Sequence, residues 1–207
     1  MSERKRTMEG FDFTGHMRVV CEDIVARLPA LSHIDLSRIA IAFCQTRKRV
    51  SHGLYASLTP MRFRDGSLVT QRSGRWYTLQ RLYDTENHEQ LYILNFYLPR
   101  FMDVGLREKI STIIHELWHV SPVFDGDIRR HNGRCYAHTG SQRKYDEKMD
   151  AMADHWLGLE PPESLYRFLR LSFRELQAAH GGVIGTRVRH PKLIPLTNFQ
   201  AGRLAAG

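Results

Sequence analysis

The stretch that decides the fold is LREKISTIIHELWH, residues 106–119. Its apolar residues recur at three- and four-residue spacing, as in an amphipathic helix that packs on a core: Leu106, Ile110, Ile113, Ile114 and Leu117. The stretch ends in His115-Glu116-Leu117-Trp118-His119, which matches the pattern H-E-x-x-H. Because residues i and i+4 lie one above the other on a helix, both imidazoles can reach one metal ion.

The flanking residues predict where this helix begins and ends. Asp103 is of a residue type that caps helix N-termini, and Pro122 cannot continue a helix. We therefore expect His119 to lie at the helix end, facing a loop. Together with the helical pattern, this context favours a metal site over two ordinary histidines of a packed helix.

The cysteines and the N-terminal sequence indicate a compartment. Cys21, Cys44 and Cys135 are odd in number, widely spaced and without a C-x-x-C pair, which argues against a disulfide framework and a zinc ribbon. The charged residues 1–6 are not followed by the apolar run of a secretory signal, and no segment approaches the length of a membrane span. We expect a cytoplasmic protein with reduced thiols and no membrane segment.

The charge balance bears on the partners. A formal net charge of +8 over 207 residues permits binding to nucleic acid. The basic residues are dispersed in small groups such as Arg47-Lys48-Arg49, so nucleic acid is the less favoured partner and a peptide or protein substrate the favoured one. The oligomeric state is left open.

The rest of the chain predicts one α+β domain. A helix is expected over residues 16–28, and two further helices over 142–157 and 162–180. Four strands should precede the motif helix, at residues 36–45, 54–63, 75–83 and 90–98. Pro60 predicts an edge strand or a bulge, because proline cannot donate to a strand ladder.

These elements suggest three parts of the chain. Residues 1–15 are expected to be a flexible polar tail. Residues 16–180 should form a compact domain, with a small mixed or antiparallel sheet packed on an N-terminal helix and on the motif helix. Residues 181–207 are then a C-terminal extension.

A catalytic zinc site usually has three protein ligands and an open position for water, so a third ligand should follow the motif. The candidates are His138, Asp125, His131 and Asp150. His138 is preferred because it precedes a helix whose apolar residues can lean back on the motif helix. Asp125 stands ten residues after His115, the metzincin spacing, but Pro122 replaces the glycine that those enzymes need. Asp150 can instead orient a ligand histidine.

One known family carries a similar run of residues. The chain resembles the phage-type metallopeptidases through HELWHVSP at residues 115–122, FDGD at 124–127, Arg129-Arg130 and Tyr136-Ala137-His138. More distantly it is similar to SprT-like metalloproteases, in which a histidine-glycine motif follows H-E-x-x-H; here Thr139 is inserted before Gly140. The resemblance covers roughly residues 36–160. It implies a compact zincin-like fold, a Zn²⁺ cofactor and peptidase activity, and it supports His138 as a ligand.

The favoured hypothesis is a zinc-dependent metallopeptidase. Zn²⁺ held by His115, His119 and His138 would lower the pKa of a bound water from near 15.7 toward about 7. Glu116 would act as the general base and return the proton to the leaving amine. Candidate donors to the developing oxyanion are Tyr136, Tyr145 and Arg134. An extended substrate could add to an edge of the sheet, for which residues 90–98 are a candidate. Their apolar content fits a buried central strand equally well.

Two other hypotheses stay open. The first is a SprT-like protease that acts on DNA-bound proteins, with the basic surface holding the nucleic acid. The second is a non-catalytic zinc or interaction module, in which a fourth protein ligand such as Asp125 or Asp150 closes the ion off. We also expect the loop at residues 125–130 to be ordered by ion pairs between its aspartates and Arg129-Arg130.

Overall fold

The computed structural model describes residues 10–45, 53–130 and 142–205, which form a mixed fold of helices and small sheets, as predicted. The strands are β1 (Phe11–Asp12), β2 (Ile39–Gln45), β3 (Ala56–Pro60), β4 (Val69–Arg72), β5 (Arg75–Leu79), β6 (Leu82–Tyr83), β7 (Glu89–Gln90), β8 (Tyr92–Leu98), β9 (Val183–Ile184) and β10 (Leu193–Leu196). The α-helices are α1 (Phe13–Arg27), α2 (Leu106–Trp118), α3 (Gln142–Gly158), α4 (Glu163–Tyr166), α5 (Phe173–His180) and α6 (Asn198–Ala205).

The sheet that positions the motif has three strands in the order β2-β8-β3. The central strand β8 is parallel to β2 and antiparallel to β3. Of the two alternatives for residues 90–98, the substrate edge is wrong and the central strand is confirmed, because β8 is paired on both sides. Its nearly continuous apolar sequence reflects that central position. β3 is an edge strand and ends at Pro60, as predicted from the proline.

The two faces of this sheet differ because β2 alternates large and small side chains. Ile39, Ile41 and Phe43 belong to the main core, whereas Ala40 and Ala42 lie on the opposite face. Helices α1 and α2 contribute their apolar faces to the same main core. The motif helix is thus fixed on one face of the sheet, and the face with the alanines is left shallow.

α1 begins at Phe13, three residues earlier than predicted. The Asp12 side chain caps this helix by accepting the Gly15 N–H at 3.0 Å. Phe13 is fully buried and Phe11 is 7% exposed, so both rings belong to the core. The ordered domain therefore extends N-terminal of residue 16.

The helix predicted over residues 162–180 is broken into α4, a short 3₁₀ turn and α5. The Lys109 ammonium accounts for part of the break, because it donates to the backbone carbonyls of Leu169 at 2.7 Å and Leu171 at 2.9 Å. Ser172 then starts α5 with a capping box that includes Glu175. The carbonyls of Leu169 and Leu171, which would accept hydrogen bonds within one continuous helix, instead accept hydrogen bonds from Lys109 of α2.

Residues beyond 181 join the sheets. β9 pairs with β1 in parallel, and β10 pairs antiparallel with β5, after which α6 follows. Cys21 and Cys44 are free thiols, as predicted, and Cys135 lies outside the described residues. No helix in the described ranges combines the length and the apolar content needed to cross a bilayer.

Candidate active site

The two motif histidines lie where the sequence predicted, at the C-terminal end of α2. His115 is in the last turn, and His119 is the residue that ends the helix. Their imidazole centroids are 4.8 Å apart, and the ring planes are inclined by 73°. Both rings are half-buried. The pair therefore faces one common space beside the helix end.

This pair fits two ligands of a zinc ion. Two imidazoles that bind one tetrahedral zinc at Zn–N distances of about 2.0–2.1 Å have ring centroids roughly 5 Å apart. The observed separation of 4.8 Å is close to that value. Within residues 10–45, 53–130 and 142–205, no group of three His, Cys, Asp or Glu side chains is arranged to hold a metal. Within the described residues, His115 and His119 are thus the two side chains whose geometry fits such a site.

Glu116 lies between the histidines in sequence and reaches the outer edge of β3. Its Oε2 accepts the backbone N–H of Leu58 at 2.7 Å. Burial raises the pKa of Glu116 to about 7, and the Leu58 N–H opposes part of that rise. A carboxyl group with such a pKa can both accept and return a proton near neutral pH.

The backbone pairing explains why the Leu58 N–H is available. Tyr97 N–H donates to Tyr55 C=O at 2.8 Å, and Met61 N–H donates to Leu91 C=O at 3.0 Å. The odd-numbered residues of this edge therefore direct their backbone groups toward the central strand β8. Leu58, an even-numbered residue, directs its N–H and C=O away from the sheet. This outer edge of β3, beside which the described residues place no further strand, thus runs beside Glu116.

Tyr145 of α3 covers both imidazoles. Its ring centroid lies 5.0 Å from that of His115 and 6.1 Å from that of His119, and it stacks on His119 at 23°. Burial, with a further contribution from Glu116, raises the pKa of Tyr145 above its usual range. The phenol is consequently protonated over the ordinary pH range and able to donate. Of the three candidate oxyanion donors named from the sequence, Tyr145 is the one within the described residues, and it lies beside both histidines.

The end of α2 is held by Arg129. Its Nε donates to Trp118 C=O at 2.7 Å, and its backbone N–H donates to His119 C=O at 2.7 Å. Its guanidinium also lies 4.0 Å from the Trp118 ring centroid, and the Lys148 ammonium lies 3.7 Å from that centroid. Burial lowers the pKa of both cations. Sequence patterns did not indicate this clamp, which fixes the position of His119.

The loop after α2 is ordered by the predicted ion pair. Arg130 donates to both carboxylate oxygens of Asp127 at 2.8 and 2.9 Å. Asp127 is 4% exposed and also accepts the N–H groups of Asp65 at 3.1 Å and Ile128 at 2.8 Å. Asp125 accepts the Asp127 N–H at 3.1 Å. This loop carboxylate network is a structural one, and Asp125 is not grouped with the histidines.

Asp150 packs α3 on α2, one turn away from the histidines. Its carboxylate accepts Ser111 Oγ at 2.7 Å and Arg107 at 2.8 Å. The same guanidinium makes two bonds of 2.6 Å to Asp154. Asp150 is therefore engaged in binding the two helices together and is not grouped with His115 and His119.

The other predicted site residues fall in residues 131–141, outside the described part of the chain: His131, Arg134, Tyr136 and His138. The described residues that flank this segment lie beside the site, since Arg129 bonds to His119 and Tyr145 packs on both imidazoles. Asp103, expected to cap α2, does not do so: the helix begins after Gly105, and the Asp103 carboxylate accepts the Phe173 N–H at 3.0 Å instead.

Comparison of the chain with family models, with curated protein sequences and with solved structures finds no match.

Proposed function

We propose that the chain is a zinc-dependent metallopeptidase with a zincin-like site. One observation carries this proposal: two imidazoles 4.8 Å apart at a helix end, with the carboxyl group of Glu116 beside them and against an open sheet edge. This set contains two metal ligands, a base and a surface for an extended chain. His138 is the proposed third ligand, on the strength of the sequence.

The chemistry divides between the metal and the side chains. A bound zinc ion would supply the Lewis acid for a peptide carbonyl and for water. Glu116 takes the proton of the attacking water and passes it to the leaving amine. The Tyr145 hydroxyl, held over the imidazoles by the packing of α3, donates to the oxygen on which negative charge develops.

β3 is the proposed substrate edge. The outward N–H of Ala56 and the outward carbonyls of Ala56 and Leu58 can pair with an extended peptide by strand addition, while the Leu58 N–H is held by Glu116. Such pairing gives affinity without demanding a particular sequence. The Leu58 N–H that bonds to Glu116 lies on this edge, so the scissile bond of a paired peptide would come close to the base. This geometry supports a peptide or an unfolded protein segment as substrate.

The first test is Glu116→Gln, with zinc content and hydrolysis of a quenched fluorescent peptide library measured together. The substitution keeps the shape of the side chain and removes its basicity. We expect zinc content to stay at the wild-type value and turnover to fall by about 10²–10⁴-fold. Glu108→Gln is the matched control, because Glu108 lies exposed in the first turn of the same helix. Wild-type turnover in Glu116→Gln would refute the base assignment.

The ligand set has a separate test. His138→Ala should lower the zinc content of the purified protein, whereas Asp125→Ala should leave it unchanged. The reverse result would transfer the role of third ligand to Asp125. Wild-type protein that takes up no zinc at micromolar concentrations would overturn the proposed function itself.

A further inference from the structure

A second concave site lies on the other face of the β2-β8-β3 sheet, away from α2. It is a cavity of about 670 Å³. Apolar side chains line its base, among them Ala40, Met61, Ile93, Leu82 and Val188. Residues 80–85 and 186–192 form its walls. Binding sites for small molecules have volumes of about 300–1,000 Å³ and mostly apolar linings, so this cavity has the size of one.

The sequence of β2 creates the space. Its alanines Ala40 and Ala42 lie on this face, and Ala40 lines the cavity, where a larger side chain would take up space. The walls are attached by backbone hydrogen bonds on two sides: Phe43 N–H donates to Thr186 C=O at 3.1 Å, and Gln80 N–H donates to Lys192 C=O at 2.9 Å. The cavity is therefore part of the folded structure rather than a gap between loosely placed loops.

Positive charge converges on this cavity. Its lining includes four cations that have no carboxylate within 4.0 Å among the described residues: Arg18, Arg187, Arg189 and Lys192. A fifth lining cation, Arg81, is paired with Glu89. The lining carboxylate Asp84 accepts N–H groups of its own turn from Glu86 at 2.9 Å and His88 at 2.8 Å. The cavity thus carries an excess of cations over anions.

One of these guanidinium groups, that of Arg18, is held in place. It donates to the carbonyls of Leu36 at 2.7 Å and Ile39 at 3.0 Å. Carbonyls orient a guanidinium without neutralising it, so Arg18 keeps its full charge for a ligand. The Arg187 guanidinium lies instead on the side of β2 that carries Phe43 and Gln45, 5.2 Å from the Phe43 ring centroid and 3.4 Å from Gln45 Oε1. A fixed donor such as Arg18 loses less conformational entropy when an anion binds.

We propose that this cavity binds a nucleoside phosphate. Arginine pairs are suited to phosphate because their planar N–H forks match its oxygens. The apolar base, with the half-exposed ring of Tyr83 at the wall, provides for a planar base, which stacks on aromatic rings. Because the cations surround one cavity rather than follow a groove, a mononucleotide fits better than a nucleic-acid strand. This site is independent of the proposed peptidase site, which lies on the opposite face.

The test is calorimetric titration of the full chain with AMP, ADP, adenosine and inorganic phosphate at about 50 mM salt. We expect AMP and ADP to bind at micromolar concentrations, and adenosine and inorganic phosphate at least tenfold more weakly, because each has half of the required chemistry. Absence of nucleotide binding overturns the proposal. Equal binding of adenosine overturns it too, since charge would then be irrelevant. A single-stranded oligonucleotide that binds tenfold more tightly than AMP, with a steep salt dependence, replaces it by a nucleic-acid surface.

Substitutions locate the site. Arg189→Ala with Lys192→Ala, both lining positions, should weaken AMP binding at least tenfold. The matched control is Arg174→Ala with Arg203→Ala, which removes the same charge from exposed positions on α5 and α6, outside the cavity lining. If AMP binding weakened equally in both double variants, only the net charge of the protein would matter, and the assignment of the nucleotide site to this cavity would be overturned. Ala40→Val provides a second variant that fills the cavity without changing charge, and it should also weaken AMP binding. Circular dichroism verifies the fold of each, and no readout depends on zinc.

Discussion

Lys109 should give the fold a pH-dependent stability that can be measured without any substrate. Its side chain is 1% exposed, and its Nζ donates to the carbonyls of Leu169 and Leu171. Burial lowers the pKa of Lys109 to about 8, against smaller opposing attractions from Asp103 and Glu175. The cost of burying this ammonium therefore depends on whether it is charged.

The sign follows from the two pKa values, about 8 in the folded protein and 10.5 for the ordinary side chain. Below pH 8 the amine is charged in both states, and the full cost of burial is present. Between pH 8 and pH 10.5 the folded protein releases a proton that the unfolded chain keeps, so the free energy of unfolding rises with pH. At 1.36 kcal/mol per pKa unit, the gain between pH 7.5 and pH 10 is about 2 kcal/mol. The neutral amine keeps two N–H donors, which is the number that the two carbonyls need.

The assay is urea denaturation at pH 7.5, 8.5, 9.5 and 10 for the wild type and Lys109→Met. The wild type should gain about 2 kcal/mol relative to the variant over this range. Other groups that titrate in the range cancel in the difference, because both proteins contain them. Lys192→Met, at an exposed position, is the matched control variant. A flat difference between wild type and Lys109→Met would refute the reasoning.

Three further substitutions test the surroundings of the site. Arg129→Ala removes the side-chain hydrogen bond to Trp118 C=O and the cation over the Trp118 ring. Thermal denaturation should show that the free energy of unfolding falls by about 1–3 kcal/mol, and zinc affinity should fall as well. Unchanged zinc affinity would contradict a positioning role. Asp150→Asn should slightly lower the unfolding temperature and leave zinc content unchanged, whereas loss of zinc would make Asp150 a ligand. Glu89→Gln should lower the free energy of unfolding at pH 7 by about 1–2 kcal/mol. This figure allows for solvent screening of the ion pair, because Arg81 is half-exposed. Arg81 first and Arg62 second lower the pKa of Glu89 to about 2. The stabilisation by these ion pairs is therefore present above pH 4.5 and is lost as the pH falls toward 2. Acid denaturation of the wild type and the variant would measure this loss.

Local periodicity was enough to predict the parts of the fold that are themselves local. The apolar spacing of α2 placed His115 and His119 on one helix face, and the structure has them there. The cap of the same helix was predicted wrongly, because Asp103 accepts an N–H from a residue 70 positions away. A capping residue type cannot indicate whether a tertiary partner competes for its side chain.

The order of the strands was beyond such patterns. The sequence of β8 was apolar enough for a central strand, yet its parallel partner β2 lies about 50 residues earlier in the chain. The apolar periodicity of a strand predicts which of its faces are buried, but it does not predict which strands pair with it. Pro60 was more informative, because a missing N–H restricts a residue to a strand edge wherever the neighbours come from.

The site shows the same division between local and long-range information. The two imidazoles and Glu116 come from five consecutive residues and could be assigned from them. The contacts that position these residues could not be assigned from the sequence. Leu58 is 58 positions from Glu116 in the chain, and Tyr145, which packs on His119, belongs to a different helix, α3. Both depend on how the edge of β3 and the helix pair pack, which no short pattern encodes.

The packing around α2 fixes the helix that carries His115 and His119. Lys109 ties the start of the helix to the carbonyls of Leu169 and Leu171, Asp150 binds its middle to α3, and Arg129 holds its last two carbonyl groups. A ligand pair restrained on three sides loses little conformational freedom when it binds an ion, so less of the binding energy is used for ordering. Because these protein contacts hold the helix, we expect a zinc ion bound in the proposed site to serve the reaction rather than the fold.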